Sequence, residues 1–573
     1  MLDPLAFGAL VKRKRGEAKL TQETLAGDVF GDPGRKADIS RIENGKVTPQ
    51  EATIQRLCTA LAISTAEMEP IRQGRSIAGQ LDHIPALSRQ QMEDMAARFG
   101  IENPYDRGDQ ELRDLLTDKA EDWRALKRQI AALDDRHAQI AELKGSAEAA
   151  AEAGDLEQVD QLLGAADVAE TKISADTKIA RAQNALTRNR TQQAYEILSA
   201  VADSFGSVDA MAPAMMRGQL YKMLYDHGLR YGGVGLALAE DMLEEAARRL
   251  PEEVDEVAYL PVFGNLALVQ KSHGVLLEGE AGRAKLEAAA TTYRRLLSSL
   301  DPKSESWGIT QNNLGNALKD QGIRAQGAEG QRLLSEAVEA YRRALEVRTR
   351  EKTPAQWAMT QNNLGIALRN QGSRADGNEA IRLLSEAVVA YRRALEVRVK
   401  EKMPEAWAMT QNNLGITLSN QGTRAKGAAS QRLLGEAVIA YRAALEVYTR
   451  DRMPVQWATT QNNLGATLRA QSSRVGGTEA QQLLGEAVQA YRAALEVQTR
   501  DNLPVPWATT QVNVGFALLE RAQFLEEDLM AGDLQAALEA VDGALEVFDP
   551  EHTPYQHGNA TGLRESILAA MAG

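Results

Sequence analysis

Two columns of side chains recur every 50 residues: the amides of Asn313, Asn363, Asn413, Asn463 and Asn513, and the guanidiniums of Arg324, Arg374, Arg424 and Arg474. An amide donates and accepts at once, so a column of them can pair with an extended main chain without choosing among its side chains. The same column can instead bond neighbouring helices and fix how they stack. The arginines can meet an acidic partner, sit at helix C-termini where a cation is favoured, or form a solvated rim. Elsewhere, Arg35, Lys36, Asp38, Ser40 and Arg41 crowd one short stretch, with Gln22 before it and Asn44 and Lys46 after it. Arginine and lysine suit guanine O6 and N7, and amides and lysine suit phosphate oxygens, so this set has the chemistry to read duplex DNA. A helical bundle with a solvated charged face accounts for the same residues, as does a domain of this kind that binds protein.

Catalytic chemistry finds no comparable set. No G-x-x-x-x-G-K-[ST] loop, G-x-S-x-G turn or H-E-x-x-H helix occurs. The six histidines (83, 137, 227, 273, 552 and 557) are scattered, and Gly232-Gly233-Val234-Gly235 lacks the preceding strand of a dinucleotide fingerprint. Cys58 is the only cysteine, which excludes an internal disulfide and a cysteine-cluster zinc site. The expectation is a binding protein rather than an enzyme, with no catalytic residue, no metal and no cofactor.

The elements that position the columns follow from the same period. Trp307, Trp357, Trp407, Trp457 and Trp507 each open a copy of W-x-x-T-Q-N-N-L-G, loosened in the last to W-A-T-T-Q-V-N-V-G. The blocks from Trp357 and Trp407 agree at 32 of 50 positions, too many for chance, so the units are stacked supersecondary repeats. Each unit reads as two helices. The first spans about 307–321 and stops at Gly322, and the polar stretch RAQGAEGQ follows. The second spans about 332–350, with apolar residues at helical spacing. Pro354 then breaks the helix before the next tryptophan. Leu314, Gly315, Ala337, Tyr341 and Ala344 match the tetratricopeptide pattern, so the unit resembles an enlarged tetratricopeptide (TPR) repeat, longer by about ten residues between its helices and by several after the second. That resemblance implies a superhelix whose first helices line a concave wall, with the Asn313 series projecting into the groove. The tryptophans are expected in the core between units.

Residues 5–64 read as short helices joined by polar turns. Thr21 is placed to cap the helix that begins L-T-Q-E-T-L-A, and I-S-R-I-E-N-G-K follows. Leu20, Gln22, Leu25, Ala26, Ile39, Ser40, Ile42, Glu43 and Gly45 resemble the Cro/phage-repressor (XRE) class of helix-turn-helix domains. The turn G-D-V-F-G-D-P-G-R-K-A-D is about three residues longer than that class uses. The resemblance implies a recognition helix carrying Arg35, Lys36, Asp38, Ser40 and Arg41 to base edges, with Gln22, Asn44 and Lys46 on phosphates. Lys12, Arg13, Lys14 and Arg15 add positive charge on the first helix.

Between head and repeats, Leu112, Leu116, Lys119, Trp123, Leu126, Ile130, Leu133, His137 and Ile140 alternate in steps of four and three. Such a seam serves a two-stranded dimerising coil or packs on the first solenoid helices. The organisation expected is a head (1–75), a helical connector (76–148), degenerate TPR-like pairs (149–306), four full repeats (307–506), and a last repeat with a capping helix (507–573). These blocks carry net charges of +2, −13, +7 and −9 when the connector and degenerate pairs are joined and divided from the repeats at Trp307. Aromatics make up only 5% while Leu, Ala, Glu and Arg abound, so the fold class is all-α: a helix-turn-helix domain, a connector and an α-solenoid. No window is long and apolar enough for a membrane span, and the basic residues near the start follow the first apolar stretch rather than precede it. A cytoplasmic location is expected.

The layout resembles that of peptide-responsive quorum-sensing regulators, whose repeats are shorter. It implies a transcriptional regulator: a homodimer binding double-stranded DNA, with a peptide or protein ligand in the solenoid groove altering the spacing of two heads. The alternative is a scaffold, in a defence or signalling complex, with the head as a tether.

Overall fold

The computed structural model describes residues 4–44, 49–64, 87–99, 107–125, 174–207, 209–251 and 259–572, with isolated positions between them. Among the described residues there is no strand, in line with the all-α expectation. The chain divides into two compact units, Met1–Glu252 and Glu253–Gly573, a boundary that falls inside the expected block of degenerate pairs.

The first unit opens with α1 (Pro4–Glu17), α2 (Gln22–Phe30), α3 (Lys36–Glu43) and α4 (Glu51–Ala60). They close over Phe7, Val11, Leu25, Ala26, Ile39 and Leu57, all fully buried. Thr21 caps α2 as expected, its hydroxyl accepting from the Thr24 N–H at 3.0 Å. The long turn after α2 is itself ordered. Gly31 ends the helix in the left-handed region (φ 71°), and Asp32 caps a single 3-10 turn, Pro33–Arg35, that runs straight into α3. The surplus residues of the turn thus become a lead-in to the recognition helix.

Next come α5 (Arg89–Arg98) and α6 (109–125), then α7 (174–187), α8 (Thr191–Ser204), α9 (Ala212–Tyr231) and α10 (Gly235–Arg249). Leu112 and Leu116, the start of the heptad seam, are fully buried in one core with Met92, Met95 and Ala96 of α5. The described half of the seam is therefore occupied inside the chain. Leu126, Ile130, Leu133, His137 and Ile140 lie outside the described residues.

The second unit is a run of helix pairs. A degenerate pair, α11 (Asn265–Leu276) and α12 (Gly279–Ser299), precedes the regular ones. The four repeats are α13 (Glu305–Arg324) with α14 (Gly327–Val347), α15 (Pro354–Arg374) with α16 (Gly377–Leu395), α17 (Pro404–Arg424) with α18 (Gly427–Leu445), and α19 (Pro454–Ser472) with α20 (Gly477–Leu495). After them stand α21 (Pro504–Ala522), α22 (Glu527–Leu545) and the terminal α23 (Pro554–Ala572). Successive first helices lie closer to one another than successive second helices do, so the first helices form the inner row of the stack.

Three boundaries differ from expectation. Gly322 does not stop α13, which continues to Arg324. The stretch RAQGAEGQ is not a loop, because α14 begins at Gly327 and only Ala325 and Gln326 join the pair. Its polar residues are a solvated helix face, held by Glu329–Arg332 pairing at 2.8 Å and repeated as Glu379–Arg382 at 2.6 Å. Gly327, Gly377, Gly427 and Gly477 all have φ near +60°, a conformation that costs a side-chain-bearing residue about 1 kcal/mol or more. Pro354, Pro404, Pro454 and Pro504 do not follow a helix but begin one, where the missing N–H loses nothing. The enlarged repeat therefore places its extra residues in longer helices.

Within each pair the tyrosine expected above the crossing is there. Tyr341, Tyr391, Tyr441 and Tyr491 are buried against Gly315, Gly365, Gly415 and Gly465, where a Cβ would fall 2.7 to 2.9 Å from the ring.

Candidate functional site

α3 divides cleanly. Ile39 and Ile42 enter the head's core, while Lys36, Ala37 and Arg41 are exposed and Ser40 is half-buried. Arg35, at the end of the 3-10 turn, lies over the Phe30 ring at 4.0 Å and donates to Asp38 at 2.7 Å. Arg41 approaches the other Asp38 oxygen at 3.4 Å. Asp38 thus orients two guanidiniums on the outward face. Lys36 bonds Glu23 of α2 at 2.6 Å, and the pairing raises the ammonium pKa and lowers that of the carboxyl. Asn44 donates to the Ser40 carbonyl at 2.7 Å and so closes the end of its own helix. Lys46 lies outside the described residues.

Gln22 turns inward. Its amide donates to Glu43 at 2.6 Å, and Glu43, only 6% exposed, also takes two bonds from Arg15 at 2.5 and 3.2 Å. Arg15 also reaches the Leu20 carbonyl at 2.9 Å, and the Glu43 bond raises its pKa. This network joins α1, α2 and α3. Arg15 is consequently a brace rather than part of the basic face of α1. The sequence signal for it is Glu43 itself, a carboxylate four residues after Ile39 and next to Ile42, on the side of α3 that faces the core.

In the repeats the two columns meet their neighbours. Asn363, Asn413 and Asn513 are half-buried, and each donates to the side-chain oxygen of Asn312, Asn362 or Asn462 in the preceding unit, at 3.3, 3.4 and 3.2 Å. Those same oxygens accept from Thr360, Thr410 and Thr510 at 3.2, 3.3 and 3.2 Å, and Thr460 bonds Asn412 at 3.3 Å. Asn313 accepts from its neighbour Asn312 at 3.2 Å, and the Asn463 carbonyl takes the Thr467 hydroxyl at 2.9 Å. The hub of the joint is therefore the first asparagine of Q-N-N-L-G, one residue before the column singled out from sequence. Its signal is an amide repeated without variation through four units, buried at Asn312 and Asn362 and half-buried at Asn412 and Asn462. Arg348 and Arg398 complete two joints by donating to Thr360 and Thr410 at 3.0 and 2.9 Å, and burial lowers both guanidinium pKa values.

The arginine column also reaches backward. Arg374 donates to three carbonyls at the end of α13: Gly322 at 2.6, Ile323 at 2.6 and Ala325 at 3.0 Å. Arg324 does the same to Gly274, Val275 and Leu277 around the end of α11. Later joints are looser. Arg424 finds one carbonyl of the preceding unit, Ser373 at 3.1 Å, and Arg474 finds Thr423 at 3.3 Å. The cause is the residue the guanidinium must pass. A Cβ at Gly330 would stand 2.3 Å from Arg374 Nη1 and one at Gly282 would stand 2.6 Å from Arg324 Nη1, whereas the matching positions in the next two units are Ala380 and Ser430. These are helix C-terminal contacts, where orphan carbonyls favour a cation.

One position that varies between units stays open. Ile309, Met359 and Met409 occupy one place on successive first helices and are each more than a third exposed. The tryptophans lie between units, Trp307 buried and Trp357, Trp407, Trp457 and Trp507 half-buried. Among the described residues no group of three or more His, Cys, Asp or Glu side chains is arranged to hold a metal.

A family model described as a helix-turn-helix domain matches residues 6–71. No curated protein matches the chain. Among solved structures, it is similar to the C-terminal part of a TPR repeat-containing protein from Cytophaga hutchinsonii (12% identity, 57% of this chain and 98% of that one, TM-score 0.35). It is also similar to the apo form of RapI (11% identity, 70% and 98%, TM-score 0.35) and to the P58(IPK) TPR domain (13% identity, 76% and 100%, TM-score 0.20). The family match makes residues 6–71 a helix-turn-helix domain, and α1 to α4 are its described helices. The TPR-like character of the repeats rests on their own paired helices and on the Gly315–Tyr341 crossing.

Proposed function

We propose that the chain is a DNA-binding transcriptional regulator. It acts as a homodimer that lays α3 in the major groove and holds a peptide or protein segment against its row of first helices. The observation that carries this reading is the outward face of α3, where Asp38 orients Arg35 and Arg41 while Ile39 and Ile42 fix the helix in the core. In this class of domain that helix reads base edges. On binding, Lys36 would exchange Glu23 for a phosphate. The partner surface follows from the exposed row Ile309, Met359 and Met409, since methionine adapts its shape to apolar partners. The reading involves no enzymatic step and places the chain in the cytoplasm. Among the described residues, no helix is long and apolar enough to cross a membrane.

Fluorescence anisotropy with genomic promoter fragments at two salt concentrations tests it. Binding should weaken with salt. Arg41→Ala should cost about 1–3 kcal/mol and relax sequence preference, while Lys36→Ala should weaken all sequences alike and flatten the salt slope. A wild-type chain that ignores every duplex at low salt would overturn the proposal.

One observation favours the scaffold reading: Arg35, Lys36 and Arg41 each already face a carboxylate, and residues 1–75 carry a net charge of only +2. Under that reading, partner pull-down persists in the Arg35, Lys36 and Arg41 alanine variants and the wild type shows no DNA affinity.

A further inference from the structure

The unit Met1–Glu252 holds a cavity of about 980 Å³ where α6 meets the start of α8 and the turn between α9 and α10. That size is within the range of small-molecule sites. None of the DNA-facing residues lines it, and neither does any residue of the repeats.

Its walls carry both signs of charge. Asp118, on α6, is half-buried, and desolvation raises its carboxyl pKa. Arg230 bonds Asp122 at 3.1 Å and acts on Asp118 through its charge alone, which pulls the carboxyl pKa back down. Arg190 stands where α8 begins. That helix has no side-chain cap, and the Arg190 side chain has no hydrogen bond or ion pair among the described residues. Lys119, next to Asp118 in the chain, is almost wholly buried, with its ammonium on the Leu186 carbonyl at 3.1 Å and over the Tyr231 ring at 3.9 Å. Lys119 is thus held by the protein, while half-buried Asp118 and exposed Arg190 make no hydrogen bond or ion pair among the described residues and are open to a ligand.

A second, smaller chamber of about 310 Å³ shares Arg230 and Tyr231 with the first. His227 lines it at 5% exposure, and both of its ring nitrogens lack a hydrogen-bond partner. The Leu186 carbonyl beside it also accepts from Lys119. Buried polar atoms in native proteins are rarely left unpaired, so the smaller chamber suits a polar occupant such as water.

A simple anion would meet Asp118 and Asp114, and a simple cation would meet Arg190 and Arg230. A molecule bearing both charges satisfies both walls. We infer that this cavity binds a zwitterion of the size of a free amino acid or a dipeptide, its carboxylate toward Arg190 and the uncapped turn of α8, its ammonium toward Asp118. The site is separate from the DNA-facing helix and from the repeat wall, so its test does not depend on either.

The experiment is calorimetric titration of the full chain with the twenty free amino acids and a set of dipeptides, using acetate and ethylammonium as single-charge controls. Saturable binding of at least one zwitterion is expected, with no binding of either control at the same concentration. Amino acids binding alone, or dipeptides alone, would fix the ligand's length, and both results support the site. Asp118→Asn and Arg190→Gln should each weaken binding at least tenfold, with unchanged circular dichroism. Arg190→Lys should restore most of the affinity and guards against loss through misfolding. No zwitterion binding at millimolar concentration, equal binding of the controls, or binding unaffected by both charge-removing variants would each overturn the inference.

Discussion

The head and the repeats both place polar side chains inside a helical core, but they do so to opposite effect. In the head, Arg15, Gln22 and Glu43 turn inward once, and Arg35, Lys36 and Arg41 are left outside. In the repeats, the side chains that recur most faithfully are the ones taken up by stacking: Asn312 and its equivalents, the threonines that reach them, and the arginines on the preceding helix end. Repetition there marks joints. A varying place that a partner can touch is the one held by Ile309, Met359 and Met409 and then by Thr459 and Thr509. A period read from sequence therefore locates the architecture before it locates a binding site.

The largest expected effect is in the head. Arg15→Ala leaves Glu43 buried with only Gln22, and losing one partner of a buried pair should cost about 4 kcal/mol. Hydrogen exchange should show α1 to α3 opening while the repeats keep their protection. Equal protection in the head would mean that the network is not its brace.

Next comes a pH dependence confined to the first unit. Burial, and then the neighbouring Lys119 ammonium, push His227 down to about 4. Between pH 4 and 6.5 the unfolded chain takes a proton that the folded chain refuses, so stability rises with pH across that window. Burial likewise pushes Lys119 down to about 8, so between pH 8 and 10 the unfolded chain keeps a proton that the folded chain sheds, and stability rises again. Each window is worth on the order of 3 kcal/mol. Chemical denaturation followed across pH checks this: His227→Leu should flatten the acid window and Lys119→Met the alkaline one.

Within the repeats, Asn362→Ala removes the acceptor of Thr410 and Asn413 and should cost about 2 kcal/mol. Faster amide exchange should appear in α15 and α17. Asn463→Ala, which breaks no such bond, should change little. If the two variants lost stability equally, the hub would not be the first asparagine of the pair.

The smallest effect separates tight joints from loose ones. Gly330→Ala should push Arg374 off the end of α13 and cost about 1 kcal/mol, read as faster exchange around residues 322–325. Ala380→Gly should let Arg424 reach further, with slower exchange around residues 372–375 and little net gain, because glycine weakens the first turn of α16.

Much of this fold was legible in advance. The 50-residue period, the Gly315–Tyr341 crossing and the Thr21 cap all appear where the residue types place them, because each depends on neighbours close in sequence or on a repeated interval. RAQGAEGQ misleads as a loop for a reason of the same kind. Its polarity is that of a solvated helix face, and nothing local separates the two until Gly327 is seen to supply the positive φ that lets the chain turn in two residues. Gln22 and Arg15 mislead differently. Their residue types suit a phosphate, and only the presence of Glu43, 28 residues after Arg15 and 21 after Gln22, draws them inward.

Sequence alone thus determined the all-helical class, the head-then-repeats order and the unit length, since periodicity and turn chemistry act over short spans. The folded arrangement decided which of two adjacent asparagines joins the units, how firmly each arginine grips the helix before it, and where Asp118 and Arg190 share a cavity. Those outcomes depend on side chains brought together from positions about 50 or more residues apart, and pairings at that range are set by packing rather than by local pattern.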